Sequence, residues 1–142
     1  MKKILITAML VTGISAALFA QGRINPPKVV KDAFSQKFPE AKNVTWETEK
    51  GNYEANWGGK SGEDNSVLYT PSGQFLEAGK AITIKQLPAP VVSYVKSHYK
   101  SASITEAMQV INANGKITYE AEVHGKDIVF DDKGNFIKTE KE

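Results

Sequence analysis

The chain contains no cysteine among its 142 residues. This absence excludes thiol catalysis, cysteine-ligated metal sites and disulfide bonds, so packing alone must hold the fold together. Histidine is also scarce, because only His98 and His124 are present and they lie far apart in the sequence. No Gly-x-Ser-x-Gly, His-Glu-x-x-His or glycine-rich phosphate loop occurs. We therefore expect a protein without a cofactor or metal and without enzymatic activity.

Long apolar runs are absent beyond the N-terminal segment. There, two lysines precede an uncharged, largely apolar run from Ile4 to Leu18, and small residues follow. This pattern predicts that residues 1–20 are a secretory signal peptide cut after Ala20, although a cut after Ala17 also fits. The competing interpretation is an uncleaved anchor, but a membrane-spanning helix needs about 20 apolar residues. We expect a soluble periplasmic or secreted protein with no membrane span after cleavage.

The chain lacks an excess of charge of either sign once the signal segment is set aside. It carries 18 basic and 16 acidic residues, and two of the lysines belong to the signal, which leaves 16 against 16. A nucleic-acid-binding protein would keep a cationic surplus, so this function is excluded. About 120 residues make one ordinary domain. We expect residues 21–142 to form a single monomeric domain.

The sequence then shows internal repetition. Two sets of residues match at an offset of 61 positions: Pro27, Val30, Phe34, Phe38 and Ala41 match Pro88, Val91, Val95, Tyr99 and Ala102, and Val67, Tyr69, Gly73, Phe75 and Leu76 match Ile128, Phe130, Gly134, Phe136 and Ile137. The triplet Tyr53-Glu54-Ala55 also recurs, as Tyr119-Glu120-Ala121. Self-similarity at a fixed period indicates one supersecondary unit built twice. We place the two repeats at about 25–84 and 87–139.

Each repeat begins with a helix and continues with four strands. Asn25 and Pro26 form a helix start signal, with asparagine as the N-cap. The strand segments follow at 43–49, 52–58, 66–70 and 74–84, with a break expected at Gly79, and at 104–112, 117–124, 127–131 and 135–139. We expect an α+β fold, in which two units of a helix and a four-stranded antiparallel meander join into one curved sheet with both helices on one face.

Alternation along the strands predicts two different faces. The helix-covered core is expected to contain Val44, Trp46, Tyr53, Ala55, Trp57, Val67, Tyr69 and Phe75 in the first unit, and Ile104, Met108, Tyr119, Ala121, Val123, Ile128, Phe130 and Phe136 in the second. The opposite, open face is expected to carry Glu47, Glu49, Glu54, Leu68, Leu76, Glu120, Glu122, Val129 and Ile137. That mixture of carboxylates and aliphatics is either a binding surface or an ordinary solvated face with a few aliphatic side chains.

Other candidate sites have simpler explanations. His98 and His124 are expected to have surface or helix-capping roles. The run from Asp131 to Asn135 has fewer oxygen ligands than a calcium loop requires, so a hairpin turn is the better interpretation. Glu54 and Glu120 occupy equivalent outward positions, but no nucleophile accompanies them as acid–base catalysis would require.

The ordered set of motifs resembles the PepSY-like family, which is also called putative beta-lactamase-inhibitor-like and is common among small secreted proteins of Bacteroidetes. The resemblance rests on Val-x-x-Ala-Phe-x-x-Lys-Phe-Pro-x-Ala at 30–41, Val44-x-Trp46, Tyr53-Glu54-Ala55, Gly73 and Leu87-Pro88, with the second copy fitting through 91–99, 102–104, Tyr119-Glu120 and 130–134. It covers essentially all of residues 25–139.

The resemblance implies tandem helix-plus-four-strand units whose sheets form one curved surface. It also implies a protein-binding or inhibitory module acting on a peptidase or another envelope hydrolase, with no catalytic residues to transfer. The chain departs from the beta-lactamase inhibitor protein itself, which has disulfides. Our first hypothesis is a non-enzymatic module that binds an unknown protein or peptide of the cell envelope through the open face. The alternative is a small-ligand carrier, with Trp46, Trp57, Tyr69 and Tyr119 lining a pocket between helix and sheet.

Overall fold

One short helix precedes each group of four strands. The computed structural model describes residues 24–141, so the segment interpreted as a signal peptide lies outside the described residues. The helices are α1 (Lys28–Lys37) and α2 (Ala89–His98), and a 3-10 turn spans Ile84–Gln86. The strands are β1 (Thr45–Glu49), β2 (Asn52–Trp57), β3 (Asn65–Tyr69), β4 (Phe75–Ala81), β5 (Ala107–Asn112), β6 (Ile117–Glu122), β7 (Lys126–Asp131) and β8 (Phe136–Lys141).

All eight strands belong to one antiparallel sheet in the order β1 to β8. Each strand pairs with its neighbours in sequence, and α2 lies in the connection between β4 and β5. The α+β class and the antiparallel meander are therefore confirmed. The expected break at Gly79 is wrong, because β4 runs unbroken through it and Gly79 pairs with Val110. A Cβ at residue 79 would lie 2.6 Å from Met108 Sδ, so this glycine allows a close approach between strands.

Helix α1 begins later than the start signal indicated. Its N-cap is Pro27, without a side-chain capping bond, and Asn25 instead accepts a hydrogen bond from Lys31 Nζ at 3.0 Å. The prediction that Asn25 is the N-cap is therefore wrong. The physical reason is the second proline: a residue that precedes proline avoids helical dihedrals, so Pro26 cannot begin the helix.

The first hydrophobic core lies between α1 and strands β1 to β4. Val30 is fully buried, and Phe34 contacts the rings of Trp46 and Trp57 edge-on at 5.3 and 5.2 Å between centroids. The other members are Ala33, Phe38, Ala41, Val44, Tyr53, Ala55, Val67, Tyr69, Phe75 and Ala78. All eight predicted core residues of the first unit are confirmed. The helical spacing of four and the strand alternation predicted them because both patterns are local.

The second core lies between α2 and strands β5 to β7, and two predicted members are wrong. The cluster includes Val91, Val95, Ile104, Ala107, Tyr119, Ala121, Val123, Ile128 and Phe130. Met108 is not among them, because β5 starts at Ala107 and pairs Met108 with Glu120 on the opposite face. Phe136 is 43% exposed and stacks on the Tyr94 ring at 5.0 Å, at the margin of the core.

Several local features recur 61 positions apart. The C-caps Phe38 and Tyr99 have nearly the same dihedrals, φ −130° and ψ 60° against φ −128° and ψ 64°. Register shifts interrupt β3–β4 between Leu68 and Tyr69 and β7–β8 at the matching pair. The following hairpin turns have Gly73 and Gly134 at positive φ, 81° and 85°. Each turn packs against the start of the helix that precedes its strands.

We expect Tyr69→Phe to leave the free energy of unfolding unchanged or to raise it by about 1 kcal/mol. The Tyr69 hydroxyl is buried without a hydrogen-bond partner among the described residues, and such a group costs roughly 1–3 kcal/mol. Phe130, at the matching position of the second unit, already lacks a hydroxyl and is fully buried. The control is Tyr119→Phe, which removes a 3.1 Å hydrogen bond from Gln109 Nε2 and should cost about 1 kcal/mol. Urea denaturation measures both, and a greater loss for Tyr69→Phe would contradict this account.

We expect Gly73→Ala and Gly134→Ala to destabilise the fold more than Gly115→Ala. All three glycines have positive φ, so alanine is strained at each by about 1–3 kcal/mol. A Cβ at residue 73 would also lie 3.0 Å from the Val29 carbonyl oxygen, and one at 134 would lie 3.3 Å from the Val91 nitrogen, whereas nothing lies within 4 Å at 115. Crowding should add about 1 kcal/mol or more. Equal losses at the three positions in thermal unfolding would show that the turn–helix contact does not matter.

Candidate functional site

One face of the sheet carries a concentration of carboxylates, which we call the acidic face. Residues paired directly across antiparallel strands share a face. One row runs Glu47, Glu54, Leu68, Glu77 and Asn112 across β1 to β5; a second runs Met108, Glu120, Val129 and Lys138 across β5 to β8; a third runs Glu122, Asp127 and Glu140 across β6 to β8. Asn112 and Met108 lie on the same side of β5 because residues two apart share a face.

The acidic face encloses an open cavity of about 820 Å³, which we call the acidic cavity. Eleven of its lining residues are acidic and one, Lys50, is basic. The acidic residues are Glu47, Glu49, Glu54, Glu63, Asp64, Glu77, Glu106, Glu120, Glu122, Asp127 and Glu140. Since the whole chain has 16 acidic residues, the fold collects most of its negative charge on this surface. The balanced net charge of the sequence conceals this asymmetry.

The two edges of the sheet approach each other at the rim of the cavity. Lys50 lies in the β1–β2 turn, and its Nζ is 3.1 Å from Glu140 Oε1 on β8 and 3.2 Å from Glu49 Oε1. Glu140 also pairs with Lys138 at 2.9 Å. Lys50 has φ +49°, which is uncommon for a residue other than glycine and typical of a tight hairpin turn. The turn therefore directs a cation from one edge of the sheet to the other.

Carboxyl groups at the floor of the cavity have raised pKa values. Burial raises the pKa of Glu54 to about 7, and the negative charges of Glu49 and Glu47 add to the effect. Burial likewise raises the pKa of Glu120 to about 7, with the charge of Asp127 as the next cause. The pKa values of Glu77 and Asp127 are raised for the same first reason. At the rim the direction reverses, because the hydrogen bond from Lys138 lowers the pKa of Glu140.

Four of the eight predicted site residues line the acidic cavity: Glu47, Glu54, Glu120 and Glu122. Leu68 and Val129 lie on the acidic face by register, and Val129 is buried there at 4% exposure.

Leu76 and Ile137 do not line the acidic cavity. The register shifts in β3–β4 and β7–β8 pair Leu68 with Glu77 and Val129 with Lys138, so the two predicted residues fall at the irregularities and neither lines the cavity. An extra residue in one strand reverses the alternation beyond it.

Sequence reasoning missed Lys50 and the carboxylates of Glu77, Asp127 and Glu140. Glu77 was missed because the register shift in β3–β4, which pairs it with Leu68, could not be predicted from alternation. Glu140 was missed because it lies beyond the predicted end of the last strand. Asn56 was also missed. Among the described residues, Asn56 is the one polar residue that is buried, with 8% exposure. It lines the same cavity as Glu54. Its position in the alternation of β2, two residues after Glu54, was the available signal.

The remaining candidates prove to be structural. Asp131 Oδ1 accepts hydrogen bonds from the backbone N–H groups of Lys133 and Asn135 at 2.9 and 2.8 Å, which confirms the hairpin turn. His98, the last residue of α2, is exposed; its Nδ1 lies 2.9 Å from the Tyr94 carbonyl oxygen and its ring stacks on Tyr94. His124 is exposed and has positive φ in the β6–β7 turn. Among residues 24–141, no three potential metal ligands converge.

A second, smaller cleft of about 300 Å³ lies on the other side of β4 and β5. It is lined by Phe38, Trp57, Asn65, Ser66, Ala78, Gly79, Lys80, Gln109, Ile111 and Ile117. Of the four aromatics expected to line a ligand pocket, Trp57 is there, whereas Trp46, Tyr69 and Tyr119 pack within the two cores. The cleft is therefore a surface groove between the cores and differs from the pocket that the sequence suggested.

We expect Glu54→Gln and Glu120→Gln to stabilise the protein above pH 7 and to have little effect below pH 4.5. Each carboxyl has a pKa of about 7 in the folded state, raised by burial from its ordinary value of 4.5. Between these values the unfolded chain has lost a proton that the folded protein keeps, so the free energy of unfolding falls as pH rises through this window.

At alkaline pH, each glutamine substitution should raise the free energy of unfolding by on the order of 1–3 kcal/mol relative to wild type. The free energy of unfolding should then depend less on pH. Denaturant titrations across the pH range measure this effect. The matched control is Glu40→Gln, at an exposed residue outside the cavity. A variant that lost stability at high pH would contradict this expectation, because the ionised carboxylate would then have a favourable contact in the folded state.

In the described part of the chain, neither helix is long and apolar enough to cross a bilayer. Among solved structures, the fold resembles one described as a putative periplasmic protein from Bacteroides eggerthii, with a TM-score of 0.68 and 19% identity over 82% of this chain and 89% of that one. A DUF2874 family protein from Bacteroides uniformis has a TM-score of 0.66 and 20% identity, covering 81% and 88%. A BLIP-like protein from Bacteroides fragilis has a TM-score of 0.57 and 21% identity, covering 84% and 88%.

No curated protein is significantly similar to the chain. The family model described as "Putative beta-lactamase-inhibitor-like, PepSY-like" matches residues 60–138, which is more than half of the sequence. That span runs from the β2–β3 connection to β8 and includes α2 and four carboxylates of the acidic cavity that lie on strands. The chain belongs to the PepSY-like, putative beta-lactamase-inhibitor-like family.

Proposed function

We propose that the protein is a doubled helix-plus-four-strand unit with both helices on the same face of the sheet. The recurrence of caps, bulges and turns 61 positions apart supports the doubling. The register supports the common face: Ala55, Val67, Ala78 and Ile111 are paired in sequence across β2 to β5, and Ile111 shares a side of β5 with Ala107 of the second core. The acidic face is then the side that no helix covers.

On this basis, the protein is a non-enzymatic module that binds a protein or peptide through the acidic face. The observation that carries this proposal is the open cavity of about 820 Å³ in the concave side of the sheet. A cavity of this size lies in the upper part of the roughly 300–1,000 Å³ range of ligand-binding pockets, and it is large enough for several side chains of a partner. The likeness to a BLIP-like protein adds fold-level support only.

The cell envelope is the proposed location. The N-terminal sequence has the pattern of a signal peptide, and similar solved structures are described as periplasmic. Inhibition or regulation of an envelope hydrolase is the finer form of the proposal, and it follows from the family description alone. We infer no catalysis, because the described lining of the cavity combines carboxylates and hydroxyls, such as Thr105 hydrogen-bonded to Glu122, with no histidine beside them.

The second candidate is small-ligand binding in the apolar cleft on the other side of the sheet. The observation that favours it is a groove of about 300 Å³ with Phe38, Trp57 and Ile111 at its surface, where Ile111 is 44% exposed. This volume is at the lower limit for a small-molecule site. The two candidates place the binding surface on opposite faces, so one experiment can separate them.

We expect a photoreactive amino acid at Glu47 or Glu63 to crosslink a protein partner in the source organism. Both residues are exposed and line the acidic cavity, so the substitution should not disturb the cores. Lys96, exposed on α2, is the control position, and Ile111 reports on the apolar cleft. Mass spectrometry of the crosslinked species identifies the partner and the peptide in contact.

Crosslinks at Glu47 and Glu63 but not at Lys96 would support the acidic face as the binding surface. Equal capture from all positions, or capture from Ile111 alone, would show that the acidic face is the wrong surface. Before crosslinking, circular dichroism should confirm that each variant keeps the fold.

A further inference from the structure

The structure points to the chemistry of the partner. We propose that the acidic cavity receives a segment of a partner protein rich in lysine or arginine, whose cationic heads pair with carboxylates of β2, β4, β6 and β7. This inference rests on the proposed function, since it names the class of partner for the same surface. Three independent observations carry it: the charge pattern of the face, a cation already bound at its rim, and the combination of buried amide and apolar floor.

The charge pattern leaves like charges directly opposite each other. Glu47 pairs with Glu54, and Asp127 has Glu122 on one side and Glu140 on the other. Like charges at directly paired positions destabilise a sheet. Among the lining residues, Lys50 is the single cation beside eleven carboxylates. This repulsion between like charges opposes folding, and a cationic partner would relieve it. Complementary electrostatic potentials of this kind favour the correct partner and speed association.

Lys50 shows that an ammonium group fits between these carboxylates. Its Nζ lies 3.1 Å from Glu140 and 3.2 Å from Glu49, which are the distances of charge-assisted pairs. Lys50 is itself 70% exposed and occupies only the rim, so the carboxylates deeper in the cavity have no such partner from the lining residues. A partner's lysine or arginine would repeat the geometry of Lys50 one layer below.

The interior of the cavity suits the rest of a long cationic side chain. Met108 and Val110 contribute apolar atoms to the lining, and Glu120 lies between Met108 and Val129 in the register. Lysine and arginine pack their methylene stems on apolar surface while their heads reach polar groups. Asn56, which is 8% exposed, lines the same cavity two residues after Glu54. Its amide can donate to a backbone carbonyl or accept from a guanidinium of an incoming segment.

The occupant is a polypeptide segment, because the space is too large for a single ion. The cavity measures about 820 Å³, and within residues 24–141 no three ligands converge as a metal site requires. The cavity is also open along the face, so an extended segment can lie across several strands. The carboxylates are spread over β1, β2, β4, β6, β7 and β8, which matches a series of cationic side chains better than one compact cation.

The test uses the purified protein and fluorescein-labelled peptides of equal length that alternate serine with arginine, lysine, glutamine or glutamate. Fluorescence anisotropy measures binding at low and at near-physiological salt. The cavity variant combines Glu54→Gln, Glu77→Gln and Glu120→Gln. The matched control combines Asp32→Asn, Glu40→Gln and Asp132→Asn, which removes the same formal charge from residues outside the cavity. Both variants keep the size of each side chain.

We expect the arginine and lysine peptides to bind the wild-type protein and the control alike, and the cavity variant about tenfold or more weakly. The glutamine and glutamate peptides should not bind. Equal weakening in both variants would overturn the inference, since it would show only long-range attraction to net charge. Unlabelled spermine, added as a competitor, tests for a free polyamine as the ligand. Equal binding of the glutamine peptide, or tighter binding of spermine than of the lysine peptide, would overturn the inference as well, because the occupant would then not be a polypeptide segment selected by its charge.

The crosslinking experiment separates this inference from the proposed function. If Glu47 and Glu63 capture a partner through a segment that contains lysine or arginine, both stand. If they capture a partner through a segment without basic residues, the acidic face is still the binding surface but the cationic partner is wrong. If no protein is captured while the cavity variant loses peptide binding, the charge preference holds and the natural protein partner is wrong.

Discussion

The curvature that brings β1 and β8 towards each other is the constraint on which the candidate site depends. It is visible in one contact, the 3.1 Å pair between Lys50 in the first hairpin and Glu140 in the last strand, which are 90 positions apart. A flat sheet would leave its carboxylates in open water, where their charges are screened. A curved one holds them around a shared space, and removing water from the floor raises the pKa of Glu54 and Glu120 to about 7. The same shape that creates the cavity therefore sets its chemistry.

The two hydrophobic cores offset the electrostatic repulsion among the carboxylates of the acidic face. Val30 and Phe34 of α1, and Val91 and Val95 of α2, are buried in clusters that contain no carboxylate. Burial of each such side chain contributes about 1.5–3 kcal/mol. With no cysteine in the chain, these contacts replace the disulfides on which small secreted domains often depend. Because the cores contain no carboxylate, the electrostatic repulsion on the acidic face leaves their packing intact.

Local patterns predicted the fold, and non-local pairing decided the details of the site. The spacing of Val30 and Phe34 and the alternation of Tyr53, Ala55 and Trp57 are properties of consecutive residues, so the helix stripe and the core face could be read directly. Alternation could not show that Leu76 and Ile137 fall at register irregularities outside the cavity, because a bulge arises only from the pairing of a strand with its neighbour. Met108 was misplaced because the start of β5 is fixed by its pairing with β6. The Lys50–Glu140 contact leaves no local signal at all, since it depends on the summed twist of eight strands.

Protonation and cation binding are two ways to relieve the same electrostatic cost. In the free protein near neutral pH, Glu54 and Glu120 retain part of their protons, so the cavity is less negative than its eleven carboxylates suggest. A cation placed beside them favours the ionised form and lowers the pKa again. Binding a basic segment would therefore release protons, and the affinity would rise with pH through the same window in which the free protein loses stability. If a basic segment binds there, stability and binding would oppose each other at these two carboxyl groups, as is common where a ligand site lowers the stability of the fold.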